Sequence, residues 1–458
     1  MPTVSLISLG CPRTLVDSEL YLGRLTQAGF QVVDTPESSD TLIINTCAFV
    51  EDAIQESIDA VLKAVALKQQ GRVRSVIVAG CLVQRFKDRL IRELPEVDGF
   101  VGVDGFGDIE AVARAALQGE RPRQVRRRPR VPHQAPRVDR VALTPSHYAY
   151  LKISEGCLKG CSFCVIPRMK GPLSSRPIEA VVEEARQLVE ERGVSELIVV
   201  GQDTSDYGVD RYGSPRIAEL LAALAKLSGV RWIRLLYCHP RGVSQPLIET
   251  IRDEPRVCKY LDMAIEHADD AVLARMNRGL TQAQLRQTIA ALRDAVAGIT
   301  LRTSVIVGFP GETEAAFETL LGFLRDAQFE RLGAFRYSPE EGSASFRFPD
   351  QVPAAIAQRR FDRLMRQQQE IAAAVNARWV GRTCDVVIDE GPAADDPTQY
   401  LGRTAADCPE VDGLVYVRSD RPLTPGTLVP VRITDSYEYD LVGTTSKVSD
   451  TFPALKSV

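Results

Sequence analysis

Short apolar runs alternate with amphipathic stretches along most of the chain, and that alternation limits the possible folds more than any other feature. From the start the order is "VSLISL", "SELYLGRLTQAG", "TLIINT", a helical stretch near residues 51 to 68, "SVIVAG", another helix and "FVGV". Strand-like runs separated by helical ones mark βαβ units, in which helices cover a parallel sheet. A first α/β unit is therefore expected over residues 1–117. Beyond Tyr148 the alternation resumes with "YLKIS", "ELIVVGQD", "WIRLLY", "YLDMAI", "TLRTSVIVG" and "RLGAFRYS", with helices between the runs. Six such repeats fit a partial (βα)6 barrel better than a flat doubly wound sheet, and it is expected over residues 147–379. From Gly381 the texture changes to "TCDVVID", "YLGRTA", "LVYVRS" and "LVPVRITDSYEYDLVGTT", broken by Gly, Pro and Asp. That pattern predicts a small antiparallel β-barrel over residues 380–446, followed by a tail at 447–458.

Residues 118–146 interrupt the pattern with five prolines and a run of arginines, Arg121, Arg123, Arg126, Arg127, Arg128 and Arg130. They read as a linker, either a stiff solvated connector or an electrostatic contact with RNA. Ten cysteines in 458 residues are too sparse for a disulfide scaffold, and the N-terminus lacks the basic start and long apolar core of a secretory signal. A reducing cytoplasm is the expected compartment. No apolar run approaches the roughly 20 residues needed to cross a bilayer. A net charge of −4 argues against attraction of the whole protein to nucleic acid.

The stretch "SEGCLKGCSFCVIP" spaces Cys157, Cys161 and Cys164 as CxxxCxxC. Structural zinc wants four closed ligands, and no second pair follows before the isolated Cys238. A thioredoxin-type CxxC would leave Cys157 without a purpose. Three thiolates can hold a four-iron cluster and leave one iron open to a ligand that is not protein. Three more cysteines, Cys11, Cys47 and Cys81, end "VSLISLGC", "TLIINTC" and "SVIVAGC". Each falls at the C-terminal edge of a strand, where ligands gather in open parallel sheets, and together they read as a second three-cysteine cluster. Cys238, Cys258, Cys384 and Cys408 show no such arrangement and read as structural. The four histidines show no ligand spacing.

CxxxCxxC with Phe163 before its last cysteine, at the exit of the first barrel strand, resembles the radical S-adenosylmethionine superfamily. With the second cysteine set and the terminal barrel, the chain resembles the methylthiotransferase family over nearly its whole length. The motifs are "LGCPRTLVDSE", "NTCAFVEDA", "AGCLVQR", "EGCLKGCSFCVIP", "SSRP", "VGQDTSDYG", "RTSVIVGFPGETE" and "YSPEEGS". The resemblance implies two 4Fe-4S clusters, one on Cys157, Cys161 and Cys164 and one on Cys11, Cys47 and Cys81. It also implies S-adenosylmethionine, with Phe163 near the adenine and Gln202, Gly308 and Glu312 at the mouth where the cofactor lies.

Within the family, Pro12 after Cys11, "AFVEDA" and "GQDTSDYG" point to the branch that methylthiolates the β-carbon of an aspartate in small-subunit ribosomal protein S twelve. That branch implies work on or near the small ribosomal subunit and an electron donor such as flavodoxin or ferredoxin. The chain departs from its usual pattern at three places. Arg13 and Thr14 stand for Lys-Asn, Ser174 for an arginine, and Ala264, Ile265 and Glu266 for Pro-Leu-Gln. The terminal barrel resembles the TRAM domain, yet residues 381–458 carry thirteen acidic against seven basic side chains. An acidic module suits a basic ribosomal protein better than a phosphate backbone. Two readings stand beside this one: a tRNA methylthiotransferase acting on a modified adenosine, and a non-catalytic iron-sulfur adaptor on the ribosome.

Overall fold

The computed structural model describes residues 1–126 and 140–445. Arg127, Arg128 and Arg130 of the arginine run, and the tail, lie outside the described residues.

The first sheet contains β1 (Thr3–Ser8), β2 (Gln31–Val32), β3 (Thr41–Thr46), β4 (Ser75–Gly80), β5 (Gly99–Val101) and β6 (Arg123–Gln124). Their order is β2-β1-β3-β4-β5-β6, and every pair is parallel. Every residue of β3 and β4 is buried, because helices cover both faces. That is why these strands read as unbroken apolar runs. Ile43 and Ile77 point to one face, against Tyr21, Leu25 and Val112. Leu42, Ile44, Val76 and Val78 point to the other, against Ile54, Val61 and Leu82.

Strand β6 comes from the stretch read as a linker, and the reason is backbone hydrogen bonding rather than composition. Phe100 and Gly102 at the edge donate to the carbonyls of Pro122 (3.1 Å) and Gln124 (2.7 Å). Arg121 adds bonds to the carbonyls of Val97 and Leu94. At the other end of the stretch Arg140 is buried, paired with Glu19 and with Glu184 at 2.9 Å. The described ends of the stretch are therefore anchored to the fold by these bonds, while Arg121, Arg123, Gln124 and Arg126 remain exposed.

The second sheet contains β7 (Tyr148–Lys152), β10 (Glu196–Val200), β11 (Trp232–Cys238), β12 (Val257–Met263), β13 (Thr300–Val307) and β14 (Arg331–Arg336). A short hairpin of β8 (Ser154–Glu155) and β9 (Ser174–Ser175) interrupts them. The order β14-β13-β12-β11-β10-β7 is parallel throughout and does not close, giving the expected partial barrel. Its helices pack outside on a core that includes Leu197, Leu235, Leu261 and Phe317.

The third unit contains β15 (Thr383–Glu390), β16 (Gln399–Thr404), β17 (Val415–Arg418), β18 (Leu428–Ser436) and β19 (Leu441–Thr445), closed as β15-β16-β17-β19-β18. All its pairs are antiparallel except β17 with β19, which is parallel. The connection from β16 to β17 enters the concave side of the partial barrel. Arg234 bonds the carbonyl of Ala405 (2.8 Å) and Glu196 (2.9 Å), and Arg403 shares Glu196 at 3.0 Å. Tyr260 donates to Asp412 (2.7 Å), Arg331 pairs with Asp407 (2.6 Å), and Cys408 is buried among Tyr148, Tyr150 and Tyr260. Barrel interiors usually fill with branched apolar side chains, but this one is plugged and can afford charge because every buried ion finds a partner.

The plug changes the charge argument. Asp389, Asp407 and Asp412, three of the acidic side chains counted above, face the partial barrel rather than solvent, while Glu410 stays exposed and accepts from Tyr148 at 3.2 Å. With these three and Arg403 set aside, the described residues of the unit keep nine acidic against four basic side chains, so the surface stays acidic. Among the described residues, no helix is long and apolar enough to cross a membrane. Replacing Glu196 with Gln leaves two buried guanidinium groups sharing a neutral partner. The substitution is expected to remove about 3 kcal/mol of stability, read from urea unfolding followed by circular dichroism.

Candidate active site

Strands β1, β3 and β4 are neighbours in register, Asn45 opposite both Ser8 and Ala79. Their C-terminal ends therefore arrive together, and each is followed within three residues by a cysteine: Cys11, Cys47 and Cys81. Close approach is built into the backbone at Gly10, which sits at φ +98°; an added Cβ there would lie 2.8 Å from the Cβ of Cys47. Burial pushes the Cys11 thiol up. The Arg13 guanidinium, whose Nε lies 3.3 Å from the sulfur, and hydrogen bonds from Thr14 together outweigh that and leave it at about 7. Burial pushes Cys47 up and Cys81 up to about 12, the latter opposed by Lys170.

The CxxxCxxC loop leaves β8 through Gly156, at φ +75°, where an added Cβ would fall 2.1 Å from the carbonyl oxygen of Pro172. Each of its three sulfurs already accepts a hydrogen bond. Cys157 takes the Lys159 amide (3.3 Å), Cys164 the Ile166 amide (3.4 Å) and Cys161 the Arg278 side chain (3.2 Å). Burial pushes the Cys157 thiol up to about 11 and Cys164 up to about 12. Thiols raised this far stay protonated unless a cation takes the proton's place, and the donors aimed at the sulfurs are those that tune iron-sulfur centres. Among the described residues no His, Cys, Asp or Glu group is close enough to hold a single metal ion. A four-iron cluster asks for something different, one thiolate per iron at separate corners, and the two triads fit that demand.

Both triads border one apolar cluster, in which Cys81, Cys157 and Cys164 pack with Ile166 and Met169. A cavity of about 340 Å³ opens beside the CxxxCxxC loop at the C-terminal end of the barrel strands, the usual place for a βα-barrel active site, and Arg13, Phe49 and Val50 bring the first unit to its wall. Phe163 and Gln202 line it, as do Cys157, Cys161 and Cys164. Gln202 donates to Glu155, whose carboxyl, though buried, is held well below its usual range by Lys152 and Lys170. The amide oxygen of Gln202 is buried with no hydrogen-bond partner among the described residues. Gly308 and Glu312 are not on the wall. Glu312 is buried between the Gly308 amide, Arg360 (2.9 Å) and His267 (3.3 Å), where it ties the turn after β13 to the helix Ala354–Ala377.

Several wall residues escaped sequence reasoning, whereas Glu266 was already among the departures from the family pattern. Arg278 reaches Cys161 across 117 residues, a pairing no local pattern reveals. Lys159 lies inside the cysteine motif and was within reach of it; it bridges Asp206 (2.8 Å) and Asp203 (3.6 Å). His239 also lines the cavity, and burial with Arg278 and Lys159 nearby pushes it down to about 2, so it is neutral. Glu266 sits at φ +69° on the wall, held by backbone bonds to β13, and burial raises its carboxyl against the pull of Arg278. Cys238 lines the cavity too, with its sulfur 3.3 Å from the Thr204 hydroxyl.

Comparison with known proteins agrees with this geometry. Residues 151–324 match the Radical SAM superfamily, residues 3–102 the Uncharacterized protein family UPF0004, and residues 380–445 the TRAM domain. A radical S-adenosylmethionine methyltransferase from Kitasatospora setae, solved with a tryptophan substrate and an S-adenosylmethionine analogue, shares the fold. Its TM-score is 0.55 at 12% identity, covering 86% of this chain and 79% of that one. The fold and the site thus define a radical S-adenosylmethionine protein with a TRAM domain, a class that carries a 4Fe-4S cluster and S-adenosylmethionine. The ribosomal protein uS12 methylthiotransferase RimO of Anaeromyxobacter sp. (strain K) is 46% identical over 95% of this chain and 92% of its own length. That of Geobacter sulfurreducens is 44% identical over 96% of this chain and 98% of its own. The chain belongs to the family of ribosomal protein uS12 methylthiotransferases.

Gly156→Ala should push the cysteine loop off the Pro172 carbonyl, since backbone cannot yield to a 2.1 Å contact. In the metal-free protein, Cys157 and Cys161 are expected to alkylate with iodoacetamide about tenfold faster than in the parent, followed by mass spectrometry.

Proposed function

We propose that the chain replaces a β-carbon hydrogen of an aspartate in ribosomal protein uS12 with a methylthio group. One observation carries the reading: Cys81 of the triad at the ends of the first sheet packs in one apolar cluster with Cys157 and Cys164 of the loop that follows β8, and the cavity is lined by all three loop cysteines and by Arg13, Phe49 and Val50 from beside the first triad. No side chain is basic enough to take a proton from an unactivated C–H bond, so acid–base chemistry is excluded and a bound cofactor must supply a radical. The S-adenosylmethionine and cluster held at the CxxxCxxC loop supply that one-electron chemistry.

The chain's own residues set the stage for it. Cys157, Cys161 and Cys164 hold the cluster that meets the cofactor, with Arg278 and two backbone amides donating to their sulfurs. Phe163 and Gln202 offer a ring and a buried amide oxygen to the cofactor. Gly308 and Glu312 act one layer back, shaping the turn beside it. Cys11, Cys47 and Cys81 would hold a second 4Fe-4S cluster, a group that would supply the sulfur chemistry of the transfer. The acidic face of the TRAM barrel favours a basic ribosomal protein over RNA, and a cytoplasmic location and an external donor such as flavodoxin or ferredoxin follow from that substrate and chemistry.

Anaerobic reconstitution with iron, sulfide, S-adenosylmethionine and a reductant should add about 46 Da to the acceptor aspartate of a uS12 peptide, by mass spectrometry. The same gain on an anticodon-loop RNA, with none on the peptide, would place the chain among tRNA enzymes; intact clusters and no product would leave the adaptor. The parent should bind about eight irons, and replacing all three of Cys11, Cys47 and Cys81, or all three of Cys157, Cys161 and Cys164, with Ala should leave about four.

A further inference from the structure

Arg13 occupies a singular place. It follows Cys11 by two residues, yet its guanidinium reaches the partial barrel: Nη1 donates to the Gly201 carbonyl (3.1 Å) beyond β10, and the group lies 4.8 Å over the ring of Tyr237. With Nε on the Cys11 sulfur, it spans the space between the N-terminal triad and the wall of the cavity. Its Nη2 has no hydrogen-bond partner among the described residues.

The cavity has four cationic side chains, and their partners differ. Lys159 is neutralised by Asp206 and Asp203. Arg278, like Arg13, holds one cysteine sulfur and one carbonyl, those of Cys161 and Ala264, but it sits at the CxxxCxxC triad on the side of the radical source, not between the two triads. Arg336 is exposed at the rim and bonded to Gln358, away from both triads. Arg13 is deep and forms no ion pair with a carboxylate among the described residues. The carboxylate that acts on it, Glu155, is already held by Lys152 at 2.9 Å and by Gln202.

Resting on the function proposed above, the chemistry of the substrate completes the argument. The carbon to be modified must sit between the radical source and the sulfur source, and in aspartate that carbon is bonded directly to a carboxylate. A carboxylate drawn into such a cavity without a partner is heavily penalised, whereas a planar guanidinium meets it with paired donors. We propose that Arg13 is the specificity-determining residue of the site, gripping the side-chain carboxylate of the acceptor aspartate through its unpartnered edge. Tyr237, at φ +61° and anchored by its amide to Asp262 (3.0 Å), keeps the guanidinium in the plane that allows it.

The test is the binding of two fluorescent uS12 loop peptides, one with Asp and one with Asn at the acceptor position, to the reconstituted holoenzyme with S-adenosylmethionine. Parent enzyme is expected to favour the Asp peptide by about tenfold or more, and Arg13→Gln to bring the ratio near one. Iron content reports whether Arg13→Gln keeps the Cys11 site. If iron is lost, Tyr237→Ala, which removes the stack and makes no bond to a cysteine, serves in its place and should lower the ratio at least threefold. The proposal is overturned if the iron-loaded Arg13→Gln enzyme, or failing that Tyr237→Ala, keeps the parent ratio. It is overturned alone if parent enzyme modifies the Asp peptide yet binds Asp and Asn equally. A parent enzyme that neither binds nor modifies either peptide defeats the uS12 reading, and this assignment with it.

Discussion

The site depends on a buried ion network along the helix Pro12–Gln27. Glu19 pairs with Arg140, which also meets Glu184, while Asp17 pairs with Lys152, which also meets Glu155. Lys170, from the helix that follows the cysteine loop, approaches Asp17 and Glu155 at 3.8 and 3.4 Å. These ions join the first sheet to the open edge of the second at β7. A parallel sheet directs its ligand-binding loops to one edge only, so two such sheets share a site only when something holds those edges face to face. Buried ion pairs add little net stability against apolar packing, but a mispaired arrangement is costly, which makes them good at fixing one orientation.

The partial barrel is held from the other side by the TRAM barrel. The plug from Ala405 to Asp412 supplies partners for Arg234, Tyr260, Arg302 and Arg331, all on the concave face of the sheet. Arg302 also pairs with Asp262 (2.9 Å), whose second oxygen accepts the Tyr237 amide. A chain of contacts therefore runs from the TRAM unit through Arg302, Asp262 and Tyr237 to Arg13 and Cys11. The small barrel is part of the scaffold of the site, in addition to any substrate surface it presents.

Much of this was legible in the residues. Short apolar runs and helical patterns between them set the order of strands and helices, and the change of texture at Gly381 marked the β-rich end. The cysteines were readable because their chemistry is specific and because strand ends are recognisable: Cys11, Cys47 and Cys81 each close an apolar run. Strand β6, inside the stretch read as a linker, was not legible because Arg123 and Gln124 carry no strand signal of their own. They pair because the edge of β5 has backbone groups to satisfy.

What the sequence determined by itself is therefore the set of elements, the sulfur ligands and the family they point to, since these rest on local patterns and on side-chain types few chemistries use. Only the tertiary structure decided which groups meet across long separations. It placed Arg278 on Cys161, Arg13 against Tyr237 and three acidic side chains of the TRAM unit, Asp389, Asp407 and Asp412, against the partial barrel. It also moved Gly308 and Glu312 from the cavity wall to the layer behind it. Such contacts follow from how sheets pack and where buried charge must be paired, and neither is written in the neighbourhood of any one residue.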